Sequence, residues 1–291
     1  MKIRKLLVIV AALTMVFSVA LAAFDASQTI SVVSREEGSG TRGAFIELTG
    51  IATKGADGKE VDNTYLEADF VNSTSLVMTT VASNEYAIGY ASLSSVLAND
   101  TVKALKVNGV VASTEDILNQ SYPIARPFNI VTKGELTDEI AKDFYAFIMS
   151  KEGQKVVGDN GLVPVDTAET PAYEGKALEG KLTVGGSTSV TPIMEKLAEA
   201  YNVLQPKVVI DLQSTGSTAG VTGTLDGTYQ LGMASRGLKD SEKGNGAVGT
   251  VIAMDGIAVI VHPDNPIEDL TVEQIRQVFI GEVTTWDALN K

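Results

Sequence analysis

The 291-residue chain has no cysteine, one histidine, one tryptophan and only 6% aromatic residues. The missing cysteines exclude disulfides, thiolate-ligated metals and thiol nucleophiles, and leave no cysteine to carry a lipid, so a mature form is expected to be free of a lipid anchor. The one histidine stands in His262-Pro263-Asp264-Asn265-Pro266, a turn-like, solvent-exposed setting without a nucleophile in sequence reach. No H-E-x-x-H, Walker A loop or clustered metal-ligand spacing occurs, and the carboxylates are scattered. An enzyme, a metal site and a cofactor are therefore not expected.

Basic residues are also scarce: 23 Lys and Arg stand against 36 Asp and Glu, a formal charge of −13. Such a chain should avoid nucleic acid and anionic membrane surfaces. A bound anion is not thereby excluded, because a buried site answers to dipoles and charges within a few ångströms, whereas global charge is screened by water and salt.

Long apolar runs are confined to one place. Met1-Lys2-Ile3-Arg4-Lys5 precedes an apolar stretch from Leu6 to Ala23 that closes on Ala20, Ala22 and Ala23, the pattern of a secretory signal peptide over residues 1–23. Its removal takes away Lys2, Arg4 and Lys5 but no acid and brings the formal charge to −16. The remaining 268 or so residues suffice for one large domain or two lobes. The product is expected to be exported, periplasmic or extracellular.

Beyond residue 23, β-rich runs (Thr29 to Ser34, Tyr86 to Ala91, Val102 to Val107, Phe128 to Thr132, Lys181 to Val184, Val208 to Leu212, Ile252 to Val261) alternate with helical spacing in Ile140 to Val157, Val190 to Leu204 and Val272 to Ile280. This predicts an α/β fold with largely parallel sheets. Gly50 to Asn63 is polar and predicts a loop; Asp166 to Gly180 (DTAETPAYEGKALEG) predicts a surface linker.

The most informative pattern is a small-residue turn set three times between a strand-like and a helix-like run. Arg35-Glu36-Glu37-Gly38-Ser39-Gly40-Thr41-Arg42 follows ISVVS, Gly185-Gly186-Ser187-Thr188-Ser189 follows KLTV, and Ser214-Thr215-Gly216-Ser217-Thr218 follows VVIDLQ. A helix N-terminus offers unpaired N–H donors and a partial positive charge, Gly allows close approach, and Ser and Thr add hydroxyls. Three such corners aimed at one point would surround a tetrahedral oxyanion; singly, each is also what ordinary helix capping looks like. Gly38-Ser39-Gly40-Thr41-Arg42-Gly43 matches G-x-G-x-x-G as well, but the polar Gly50 to Asn63 segment interrupts the βαβ unit that a dinucleotide site requires. Arg35 suits two oxyanion oxygens through its planar fork, with Glu37 placed to hold the guanidinium.

At these residues the chain resembles the periplasmic phosphate-binding proteins that serve phosphate ABC transporters. SREEGSGTRGAF and GGSTSVTPIMEKLAEAY carry the resemblance. STGSTAG, GMASR, AMDGIAVIVHPDNP, LTVEQIRQVFIG, AIGYASL, YPIARPFNIVTKGE and SKEGQKVVGDNGLVPV extend it over nearly the whole mature chain. It implies a type II-like periplasmic binding protein of two α/β lobes that enclose inorganic phosphate, act as a monomer and meet a membrane permease. Phosphate-binding positions carried over by motif are Arg35, Ser39, Gly40, Thr41, Thr188, Ser189 and Ser217.

Two features depart from the family. Its best-known members place an acid, acceptor of the ligand's proton, where GMASR here has Arg236; Asp255 in AMDGIAVIV is placed to replace that acceptor or to pair with Arg236. In the family, moreover, GGSTS comes first and a GLVPV-like segment last. Here the signal runs into SREEGSGTR, and GGSTS follows GLVPV after linker 166–180, as a circular permutation would arrange them. A mis-joined tandem gene is the competing account, opposed by each segment occurring once. The expected lobes are 24–122 with 256–291, and 123–255, with crossings near Tyr122 to Arg126 and Met254 to Ile257. Sulfate, molybdate or tungstate binding, or a ligand-free surface interaction module, are the alternatives to phosphate.

Overall fold

The computed structural model describes residues 24–56 and 60–290, so the signal-peptide segment lies outside the described residues. From the N-terminal side, β1 (Ser31–Arg35) leads into α1 (Gly40–Leu48), followed by β2 (Ala52–Lys54), β3 (Glu60–Asp62), β4 (Asp69–Val71), α2 (Thr74–Ala82), β5 (Ala87–Ser92) and α3 (Leu93–Leu97). The middle of the chain holds β6 (Lys103–Ala104), β7 (Lys106–Val107), α4 (Thr114–Leu118), β8 (Ala125–Lys133), α5 (Glu139–Ile148), α6 (Lys151–Asp159) and β9 (Val163–Pro164). Then come β10 (Gly180–Gly186), α7 (Thr191–Leu204), β11 (Val208–Ser214), α8 (Ser217–Asp226), β12 (Leu231–Ala234), α9 (Asp240–Gly244), β13 (Ala247–Val261), β14 (Asp269–Leu270) and α10 (Val272–Phe279). Among the described residues no helix is long and apolar enough to cross a membrane.

The main sheet runs β11-β10-β12-β8-β13-β5-β1-β4 and is mixed rather than largely parallel. Its flanks are parallel, β10 with β11 and β12 on one side and β1 with β4 and β5 on the other, because helices α7, α8 and α2 make the crossovers that parallel neighbours need. Its centre is antiparallel: β13 pairs with β8 from Ala247 to Gly256 and with β5 from Ile257 to Val261. One long apolar strand therefore serves both halves of the sheet.

Buried apolar residues fall into two large clusters. One gathers Ile30 to Ile124 with Ile257 to Leu289, and the other Phe128 to Ala253. Membership changes between Ile124 and Phe128 and again between Ala253 and Ile257; Val163, beside Met254 on the short β9, packs with the first cluster.

Local readings needed two corrections. The polar Gly50 to Asn63 segment is not all loop, since β2 and β3 pair antiparallel and the Asn63 side-chain amide donates to the Ile51 carbonyl. The helical run Ile140 to Val157 is two helices, because Ser150 accepts from the Gly153 N–H and starts α6 afresh. Linker 166–180 lies on the surface but is fastened. The Tyr173 ring sits edge-on to Phe147 at 5.3 Å, its hydroxyl donates to Asp143, and Gln205 donates to the Lys176 carbonyl at 2.6 Å.

Candidate anion-binding cleft

β1 ends at a fixed height in the sheet because the buried Tyr90 hydroxyl meets the Ser34 hydroxyl at 2.9 Å and accepts the Arg35 N–H at 3.1 Å. Burial pushes the Tyr90 phenol well above its ordinary range, so it stays a neutral anchor. Arg35 itself is 1% exposed. Past it the chain turns into α1, where Gly40 lies so close to the second half that an added Cβ would stand 2.2 Å from the Ser217 Oγ. A larger residue there would push the two halves apart.

The three corners meet. Thr41 Oγ1 and Ser189 Oγ are 2.8 Å apart, joining the first corner to the second across 148 positions of sequence. The Thr218 N–H donates to the Gly38 carbonyl at 3.1 Å, joining first to third, and the Thr215 and Gly216 N–H groups both donate to the Gly186 carbonyl at 2.8 Å, joining second to third. The N-termini of α1, α7 and α8 thus face one region, their unpaired N–H groups and dipoles favouring negative charge.

Capping accounts for only one of the candidate hydroxyls. Ser39 is the N-cap of α1, its side chain accepting from the Arg42 N–H. Ser189 does not cap α7, whose N-cap is Val190, and Ser217 accepts the Ser235 N–H rather than one from its own helix. Ser189, Ser217 and Thr41 are each no more than 2% exposed. Such hydroxyls are held at the cleft by contacts between elements rather than by local helix chemistry.

Residues that the sequence left uncertain fall out differently. Glu37 is exposed and does not hold Arg35; Glu36 does, its two carboxylate oxygens accepting from Nε and Nη2, both at 2.8 Å. Arg236 does not pair with Asp255. It is forked onto Glu242 at 2.9 and 2.7 Å and reaches the Thr218 hydroxyl at 3.4 Å. Asp255 is instead gripped by Arg126, whose Nε and Nη2 donate to one carboxylate oxygen at 3.3 and 3.1 Å while the other oxygen accepts the Ser94 N–H. Both Asp255 oxygens thus accept from protein donors, and the residue is 1% exposed.

Three cleft residues escaped the sequence reading. Thr74 opens α2 and contacts Arg35, Thr188 and Ser189. Arg126 donates to the Ser235 carbonyl at 3.2 Å, and the Ser235 N–H in turn holds Ser217. For Thr74 a signal existed, the hydroxyl run Ser73-Thr74-Ser75 ahead of an apolar helix, but it lacks the glycines that mark the other corners. His262, expected to be exposed, is partly covered, and its Nδ1 accepts the Asp264 N–H.

A family model described as the PBP superfamily domain matches residues 7–152 and 167–291. The chain is 49% identical over 263 residues to the phosphate-binding protein PstS 2 of Streptococcus agalactiae serotype V, covering 90% of this chain and 88% of that protein. It is 48% identical over 265 residues to PstS 2 of Streptococcus pneumoniae serotype 4, covering 91% and 89%. The crystal structure of a phosphate ABC transporter phosphate-binding protein from Streptococcus pneumoniae TIGR4 superposes with a TM-score of 0.70 at 48% identity, over 90% of this chain and 99% of that one. Each of these matches spans about nine tenths of this chain, and a circular permutation is not shown.

Proposed function

The chain belongs to the PBP superfamily and, within it, to the phosphate-binding proteins, and on that premise we propose that it binds inorganic phosphate between two lobes outside the cytoplasm and hands it to the membrane permease of an ABC transporter. The observation that carries this reading is the meeting of three distant strand–turn–helix corners beside a buried arginine. Arg35, Ser39, Gly40, Thr41, Thr188, Ser189 and Ser217 are the phosphate-binding residues in this reading. The first four come from the half that carries the 24–122 and 256–291 core, and the others from the half spanning 123–255.

The chemistry follows from that division. Arg35 supplies charge, the hydroxyls and helix N-termini supply neutral donors, and an anion accepting from both halves ties them together. The antiparallel pair β8 and β13, where core membership changes, is the hinge of this motion. Closure takes the oxygens out of water, and each charge-assisted hydrogen bond then adds about 1.5–3 kcal/mol. No acid with a free oxygen faces the hydroxyl cluster among the described contacts, so the hydroxyl oxygens, which both donate and accept, accept the hydrogen bond from the O–H of a monoprotonated phosphate. The protein works by binding and release rather than catalysis.

Thermal unfolding of the mature chain with and without millimolar phosphate tests the reading. A ligand present at a hundred times its Kd adds about 2.7 kcal/mol to the folded state, and the midpoint should rise accordingly. An unmoved midpoint, or a rise with sulfate or molybdate but not phosphate, would refute it.

A further inference from the structure

We propose that Thr74 is an additional phosphate-contacting residue, supplied by a fourth helix N-terminus, and that it is the group through which Arg35 engages the opposite half on closure. This inference rests on the phosphate reading and deepens it.

Thr74 is the first residue of α2, but its hydroxyl does nothing for that helix. The capping is done by Ser73, whose side chain accepts the Leu76 N–H at 3.1 Å. The Thr74 hydroxyl turns instead into the cleft, where Thr74 is 4% exposed. There it accepts from Arg35 Nη1 at 3.3 Å and lies 2.9 Å from Ser189 Oγ and 3.2 Å from Thr188 Oγ1. All three neighbours are phosphate-binding residues of the proposed site. Arg35 Nε and Nη2 donate to Glu36, which leaves Nη1, and Thr74 is the side chain it meets.

Position makes the contact more than incidental. α2 is drawn close to the sheet because Gly89 of β5 has no side chain: a Cβ there would stand 2.9 Å from both Val77 and Val81. Thr74 is carried by the half containing Arg35, whereas Thr188 and Ser189 come from the other, so its hydroxyl bonds cross between halves. A cavity of about 530 Å³ opens between the halves, lined by Ser73, Thr74, Ser95, Thr188, Glu195 and Ser214 among others. Of the clustered hydroxyls, only Thr74 and Thr188 reach this cavity, so an anion arriving through it meets them before Thr41 or Ser189.

The test compares Thr74→Val, which keeps shape and removes the hydroxyl, with Thr74→Ser, which keeps the hydroxyl and removes the methyl group. The control is Ser75→Ala, an exposed neighbour on the same cavity. Phosphate titration by calorimetry should show Thr74→Val weaker by about ten- to a hundredfold, as expected for one hydrogen bond to a charged group, with Thr74→Ser and Ser75→Ala within about threefold of the parent. Equal affinity of Thr74→Val and the parent would overturn the proposal. So would a Thr74→Ser as weak as Thr74→Val, which would assign the effect to packing of the methyl group. A parent protein that takes up no phosphate would instead refute the functional reading itself, a result separate from either.

Discussion

Arg35 and Arg126 are each 1% exposed, each stands on a strand at the cleft, and each is paired with a carboxylate, yet the two pairs are built for different ends. The acid of Arg126, Asp255, is itself 1% exposed, and the third guanidinium nitrogen is spent on the Ser235 carbonyl. Burial pushes the Asp255 carboxyl up and the Arg126 guanidinium down, and the attraction between the two opposes both shifts. The acid of Arg35, Glu36, is 29% exposed, and Nη1 is left facing only a hydroxyl. Burial of the arginine alone therefore does not separate the proposed ligand group, Arg35, from an arginine fixed within the protein, Arg126. What distinguishes them is burial of the acid and the direction of the remaining N–H.

The largest effect that would break this comparison is on stability. Asp255→Ala leaves Arg126 buried without its counter-charge and should cost about 3–5 kcal/mol, read as a lower urea midpoint without ligand. Arg35→Ala should act on binding: about 2–3 kcal/mol lost, ~30- to 150-fold in Kd by calorimetry, with a smaller drop in unfolding free energy than Asp255→Ala causes. If the two substitutions destabilise the free protein equally, Arg35 is a second arginine fixed within the protein and the distinction falls.

The smallest effect sharpens the comparison with an intermediate case, Arg236 and Glu242, 8% and 13% exposed at their side chains. Burial alone would push the Glu242 carboxyl up, but hydrogen bonds from Arg236 and from the Lys239 N–H outweigh it and hold the carboxyl below its usual range. A depressed acid contributes stability that is present above its unfolded pKa and is lost as pH falls through the folded one. Glu242→Gln should therefore cost about 1 kcal/mol at pH 7, and the gap to the parent should shrink as the pH falls below the ordinary glutamate value. Urea unfolding at pH 7 and pH 3 measures it; a gap that widens in acid would reverse the sign argued here.

Much of the candidate site was legible as local chemistry. Glycine, serine and threonine between an apolar strand and an amphipathic helix announce a corner wherever they occur, and each of the three corners stands at the start of a helix. The choice between capping and a free hydroxyl was not legible. Ser39 caps while Ser189 and Ser217 do not, and their sequences offer no difference that decides it. Glu36 and Glu37 are adjacent acids, and only the direction in which the chain leaves β1 sends one to Arg35 and the other to solvent. Among strands, apolar runs reported existence but not partner direction, so the antiparallel centre of the sheet was hidden in a chain that otherwise reads as alternating strand and helix.

By itself, then, the amino-acid order determined which chemistries are absent, where the strand–turn–helix corners lie, and that donors outnumber reactive groups in them, because these follow from residue type and from backbone preferences over a few positions. Tertiary structure alone decided which acid meets which arginine, that Thr74 joins the hydroxyls of the opposite half, and that Asp255 meets Arg126. Those choices are made by desolvation, by the direction in which the chain leaves a strand and, for Thr74–Thr188 and Arg126–Asp255, by distances between residues more than a hundred positions apart, which come into being only when the sheet has formed.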